Sequence, residues 1–336
     1  MARLSTQVII YSAFGLLTLG RIALAADTSN LERPPGEGPT RISASIFVVD
    51  IFEINDVTQS MRADVVYQII WKDERLAREG SKGRRMLLDE IWNPGLTIGN
   101  PQQFMTGLYP RIVYVKADGS VKYTQRYVGA FSITLDLSDF PFDSHELLFR
   151  FMCNNHMGDK EITFLKGPII GRAKDLSIPN WHTDSARFSA NSLHISSVIR
   201  DVPGFEYHLS VSRFRSFYIW QVIIPLVVIV MMSWASFWIH PSEIGSQIGL
   251  SATSMLTVIA YRFALSGSIP KLSYTTRLDW FLTGSLILVF MALVEVVYSS
   301  HLYKQGNVKE GLRVDKISRF MFPIAFVAIL TIAFIF

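Results

Sequence analysis

The sequence predicts an antiparallel, immunoglobulin-like β-sandwich followed by an all-α domain of four membrane-crossing helices. Three observations carry this. The 336-residue chain is 49% hydrophobic but only 18% charged, against about 25% charge in ordinary soluble domains, so much apolar surface lacks a polar counterpart. Short β-branched runs recur between residues 42 and 212. After Arg215 the character changes abruptly to long apolar stretches.

Length allows about two domains. The net charge of +4 is too mild to imply nucleic acid, and no lysine or arginine run supports it. The single cysteine, Cys153, excludes an intrachain disulfide and any cysteine-built metal site.

Residues 1–25 read as a secretory signal peptide. Arg3 precedes an apolar core at 8–19, and Ala23-Leu24-Ala25 supplies the small-residue cleavage pattern. A retained anchor is the alternative, but the stretch is short for a span. Cleavage after Ala25 or Ala26 places Asp27 near the mature N terminus, outside the cytoplasm.

Residues 27–215 form the predicted sandwich. Strands are expected at 42–54, 64–71, 111–116, 121–127, 146–151, 188–190, 192–198 and 206–212. Asp118-Gly119 marks a hairpin between the third and fourth of these. Residues 30–40, rich in proline and glycine, form a loop or tail.

Residues 216–336 supply the membrane domain, with helices at about 216–239, 244–265, 280–299 and 317–336. Each is near the ~20 residues a bilayer requires. The loop 299–319 carries Lys304, Lys309, Arg313, Lys316 and Arg319. The positive-inside rule makes it cytoplasmic and places residues 27–215 outside, in agreement with the signal peptide.

The second helix is unusually polar, with Gln247, Ser251, Thr253, Ser254 and Thr257. Gly249, Thr253, Leu256, Ala260 and Phe263 recur at helical spacing and share one face. Several copies around an axis would make a pore lined by Thr253 and constricted by Leu256 and Phe263. Polar helix–helix packing in a monomeric bundle is the competing reading.

The segment Leu135-Asp136-Leu137-Ser138-Asp139-Phe140-Pro141-Phe142-Asp143-Ser144-His145 resembles the Phe-Pro-Phe-Asp loop of the pentameric ligand-gated ion channels, the Cys-loop receptor family. Further matches are Trp71-Lys72-Asp73, Ile91-Trp92-Asn93-Pro94, the run from Tyr207 to Arg213, Pro225, Pro270 and Val294-Glu295-Val296. Ile133 and Leu147 stand where animal members carry the loop cysteines, as in bacterial members. The resemblance covers about 42–336.

It implies a homopentamer around a central pore, in a bacterial inner membrane, with the sandwich in the periplasm or outside. It implies a gating junction of Asp56, Asp143 and Arg213, with Pro141, Phe142 and Pro270. A buried arginine beside a membrane is costly unless acids pair with it. At the agonist site, three aromatic-box positions fall on Val66, Gly99 and Asn154, none aromatic, which argues against a quaternary-amine agonist. Asn154, Phe205 and Tyr207 remain as ligand-binding candidates. Proton sensing is the runner-up stimulus, although the acidic and histidine positions associated with it in one bacterial member are Gln59 and Val258 here. Glu243 is the nearest charge to the pore's cytoplasmic mouth and favours cations, while the spacing from Glu243 to Leu256 and the Ile248-Gly249-Leu250 run are closer to anion channels. The expected partners are other copies of the chain, permeant ions, membrane lipids and a small-molecule or proton agonist.

A membrane-anchored periplasmic sensor that does not conduct competes with this reading, but the sequence supplies no cytoplasmic output domain for it. A membrane enzyme is weaker still. His145, His156, His182, His194 and His208 are scattered, with no His-Glu-x-x-His or Gly-x-Ser-x-Gly motif. No catalytic residue, metal or cofactor is expected.

Overall fold

The computed structural model describes residues 31–80, 82–153, 161–195, 200–240, 242–267 and 272–335. The expected signal peptide, Asn154 and Pro270 lie outside the described residues.

Among the described residues ten strands build the sandwich: β1 (Thr40–Asn55), β2 (Ser60–Lys72), β3 (Arg84–Leu87), β4 (Leu96–Ile98), β5 (Ile112–Val115), β6 (Ser120–Ser132), β7 (Ser144–Cys153), β8 (Ile162–Arg172), β9 (Trp181–Ile195) and β10 (Arg200–Arg213). One sheet has the order β3-β5-β6-β2-β1-β8 and the other β4-β7-β10-β9. The alternation seen in sequence is the cause. Val65, Tyr67, Ile69 and Trp71 of β2 are buried, and so are Leu147, Phe149 and Phe151 of β7 and Phe205, Tyr207, Leu209 and Val211 of β10. These rows meet as an aromatic core, with Phe131 on Phe149 and Phe151 on Phe205, both at 5.1 Å between ring centres. Cys153 lies in this core, and burial pushes its thiol up to about 12.

The structure corrects several expected boundaries. The segment expected at 188–190 and the 192–195 part of the one expected at 192–198 belong to a single strand, β9; residues 196–198 lie outside the described residues. Strands β3, β4 and β8 were not anticipated, and the β1–β8 pairing is parallel. β8 contains Gly167 and Pro168, residues that weaken a strand pattern in sequence. Proline is tolerated there because β8 lies at the sheet edge.

Among the described residues four helices follow: α1 (Arg215–Trp238), α2 (Ile244–Leu265), α3 (Arg277–Lys304) and α4 (Val308–Phe334), all long and apolar enough to cross a membrane. Phe214 alone separates β10 from α1. Near its start α1 widens into a π-type turn at Ile219–Ile223, just before Pro225. Proline offers no N–H and crowds the preceding turn, which favours such a widening. α3 begins three residues earlier than expected. Thr276 and Asp279 form a reciprocal capping box there. α4 begins at Val308 rather than 317, because its first turns are basic and hydropathy alone does not register them as helix. The expected loop 299–319 therefore shrinks to Gln305–Asn307, where Gly306 adopts φ 84°.

Candidate functional site

Two arrangements concern function: the junction between sandwich and helices, and the free face of α2.

The junction is built from two loops and a strand end. After β1, Asp56–Gln59 form a turn whose start is fixed by Asn55 Oδ1, which accepts the N–H groups of Val57 and Thr58. After β6, residues 133–143 run toward the helices with Ile133, Leu135 and Leu137 buried and the intervening side chains out. β10 ends on Arg213. Its guanidinium is buried, and so is Asp143. Nε donates to Asp143 Oδ1 at 2.9 Å, and Nη2 donates to Asp143 Oδ2 at 3.1 Å and Asp56 Oδ2 at 3.0 Å. The cation also stacks on Trp181 at 4.2 Å and on Phe140 at 4.9 Å. The sequence-expected trio of Asp56, Asp143 and Arg213 is thus brought together in one cluster.

A fourth member was missed. His145 Nε2 lies 2.6 Å from Asp143 Oδ2, with both side chains buried. Its signal in sequence was period two along β7, which points Asp143, His145 and Leu147 the same way. The carboxylates differ in electrostatics. Burial pushes Asp143 up, but hydrogen bonds from His145 and Arg213 outweigh it and hold the group below its ordinary value. Asp56 is raised because burial outweighs the lowering effect of Arg213, which it shares with Asp143, and its Oδ1 has no hydrogen-bond partner among the described residues.

The loop carrying Pro141, Phe142 and Asp143 touches the membrane domain at several points. Phe140 packs edge-on against Tyr218 of α1 at 5.0 Å. Phe142 meets Phe334 of α4 at 5.3 Å, and the Arg215 guanidinium lies over the Phe142 ring at 5.7 Å. Tyr274 Oη accepts the Leu137 N–H at 3.0 Å, and Arg277 Nε donates to Asp139 at 2.7 Å. Ser138 and Phe140 carbonyls accept the first N–H groups of α3. Pro141 is buried beneath these contacts. A displacement of this loop must therefore act on α1, α3, α4 and the link after α2 together.

On α2 the polar residues divide into two sets. Gln247, Ser251 and Ser254 are buried inside the bundle. Gln247 Nε2 donates to the carbonyls of Ile239 and Ser236, and Ser300 Oγ donates to Gln247 Oε1. These three are buried among the helices of the protomer, as the competing reading of polar helix–helix packing expects, and do not lie on the exposed face. Gly249, Thr253, Leu256, Ala260 and Phe263 lie on the opposite, exposed face. Leu256 is 67% and Phe263 76% exposed. Thr253 and Thr257 return their hydroxyl hydrogens to the helix backbone. Glu243 is exposed at the helix start and makes no side-chain cap.

Of the ligand-binding candidates, Asn154 lies outside the described residues, and the other two are core residues. Phe205 and Tyr207 point into the sandwich core, where Phe205 contacts Phe151, Phe164 and Phe188. Period-two alternation, which identified β10, also turns these two rings inward. A cavity of about 300 Å³ lies elsewhere, lined by Tyr67, Tyr123, Tyr127, Asn93, Thr97 and Arg111 among others. Its hydroxyls, amide and guanidinium suit a small polar molecule. No group of three or more His, Cys, Asp and Glu side chains able to hold a metal occurs among the described residues.

A β-sandwich whose loops dock on four helices long and apolar enough to cross a membrane marks an integral membrane protein with an extramembranous domain. Residues 23–184 match the neurotransmitter-gated ion-channel ligand binding domain, and residues 222–309 match the neurotransmitter-gated ion-channel transmembrane region. The chain belongs to this family of ligand-gated ion channels. It is similar to the proton-gated ion channel of Gloeobacter violaceus, 23% identical over 327 residues that span 96% of this chain and 90% of that protein. It is similar also to gamma-aminobutyric acid receptor subunit alpha-4 of Rattus norvegicus, 26% identical over 79% of this chain and 50% of that subunit. The glutamate-gated chloride channel of Drosophila melanogaster is 24% identical over 85% of this chain and 65% of that protein. The chain spans about half to two-thirds of the length of these two animal relatives.

Proposed function

We propose that the chain forms a homopentameric ligand-gated channel of a bacterial inner membrane, its sandwich outside, its pore lined by α2, passing monovalent cations. The observation that carries this is the division of α2. Its polar Gln247–Ser254 side is buried inside the protomer, while the Gly249–Phe263 row is exposed among the described residues. A row of small, hydroxyl and bulky apolar residues suits a closed ring of copies around a narrow axis. The Asp56–Asp143–Arg213–His145 cluster is the mechanical coupling. A stimulus that shifts the sandwich moves the 133–143 loop, and that loop pushes on α1, α3 and the link after α2.

Glu243 supplies the argument for cations: five carboxylates at one mouth attract positive charge. A second reading, anion selectivity, has its own support. The exposed row of α2 carries no charge, and the helix start beside Glu243 contributes the positive end of its dipole. The test is purified protein reconstituted into liposomes, with mass measured first and currents recorded across a ligand and pH screen under a salt gradient. A stable monomer, or a pentamer silent under every stimulus, overturns the channel reading. The sign of the reversal potential decides between cations and anions.

A further inference from the structure

Gln59 stands out on two grounds. Among the described residues it is the one non-glycine with positive φ, at 50°. A residue with a Cβ is disfavoured in that region, so something must hold it there. Its side chain also makes two bonds to two different loops. Oε1 accepts the Leu135 N–H at 2.6 Å, and Nε2 donates to the Asp56 carbonyl at 2.9 Å.

The surrounding ladder explains the geometry. β2 and β6 pair up to Ser60 and Ser132, and the Ile133 N–H still reaches the Gln59 carbonyl at 2.9 Å. Beyond that point the two backbones diverge. The Gln59 side chain supplies the next rung, so the ladder continues by one bond into the loop that carries Asp143. The left-handed backbone aims it there.

We propose that Gln59 is a positioning residue that fastens the Asp56 turn to the 133–143 loop, so that both acids move as one body around Arg213. The inference rests on the junction being the coupling element of the proposed channel. The role requires a carboxamide, because the same group must accept from one loop and donate to the other. A carboxylate can only accept, and it would place a second negative charge beside Asp56. A protonated carboxylic acid can do both again.

The test is amide hydrogen exchange on full-length detergent-purified protein, each rate corrected for its pH-dependent chemical rate. Gln59→Gly relieves the backbone while removing the side chain. It is expected to lower protection of the Leu135 amide by roughly tenfold, the size of one lost hydrogen bond. Gln59→Glu is expected to keep Leu135 protected at pH 7.5 but to loosen the Val57 and Thr58 amides severalfold, and to recover wild-type protection near pH 4.5. The wild type should show no such pH profile. Full Leu135 protection in Gln59→Gly overturns the proposal. So does a Gln59→Glu protein whose turn is unchanged at pH 7.5. Neither measurement needs a current, so a non-conducting protein that shows the expected exchange sinks the channel reading and leaves this one standing.

Discussion

Asp143 occupies both ends of the Arg213 fork, and the Nη2 that serves Asp143 must also serve Asp56. The arginine is therefore held by one acid and shared with the other. A planar, five-donor group is required for this, and an ammonium cannot reproduce it.

Arg213→Ala leaves a buried acid pair without its cation. Breaking one partner of a buried ion pair costs about 3–5 kcal/mol. The thermal transition of the purified protein should fall sharply, and correctly assembled channels should not gate. Arg213→Lys should recover part of the stability and little of the gating. Normal currents from Arg213→Ala protein at wild-type surface levels would remove the cluster from the coupling path.

Leu256 is mostly exposed in the protomer, so Leu256→Ser should change protomer stability by no more than about 0.5 kcal/mol. In a pore, five leucines converge into an apolar ring that sheds water, whereas serines hold it. The expected phenotype is a leak current, or activation at a lower stimulus, with robust expression. Poor assembly with unchanged activation in the surviving channels would place Leu256 in packing between helices.

Glu243→Gln should move the reversal potential under a salt gradient away from cation preference. An unchanged potential means that the carboxylates lie outside the conduction path.

The two acids of the junction respond to pH in opposite senses. Burial, more than any other influence, raises Asp56 above its ordinary value of 3.8. Its contribution to stability is thus full below that value and lost as pH rises through its folded value. Asp143 is lowered, so its contribution is present above 3.8 and lost only at more acid pH. On acidification Asp56 takes up a proton first. The stability of wild type relative to Asp56→Asn should therefore grow as pH falls toward about 4. A flat difference from pH 7 to 4, followed by thermal melting, contradicts the assignment.

Strands with β-branched alternation, such as β2 and β6, were legible because burial on one face leaves a period of two. β4, with three residues, is too short to show any period, and Gly167-Pro168 disguised β8. The sidedness of α2 was legible, but the fate of its polar residues was not. Ser254 and Thr253 are adjacent in sequence and differ only by one helical step, yet one is buried and the other exposed. The junction trio came from a resemblance to known loops. Spacing alone could not reveal it, since Arg213 lies 157 positions from Asp56 and 70 from Asp143. His145 was missed as a partner although the period of two along β7 turns it to the side of Asp143, and Gln59 was missed because a side-chain bond between loops leaves no periodic trace.

The indole of Trp181 is almost fully shielded and lies 4.2 Å from the Arg213 cation, with the His145 ring 5.7 Å away. A cation against the face of an indole alters the light it emits, and so does the arrival of water when a buried ring is uncovered. The junction therefore contains an intrinsic optical probe. With Trp181→Phe as the blank to subtract the other six tryptophans, stopped-flow fluorescence would follow the separation of Arg213 from its acids in real time, with no label attached to the protein.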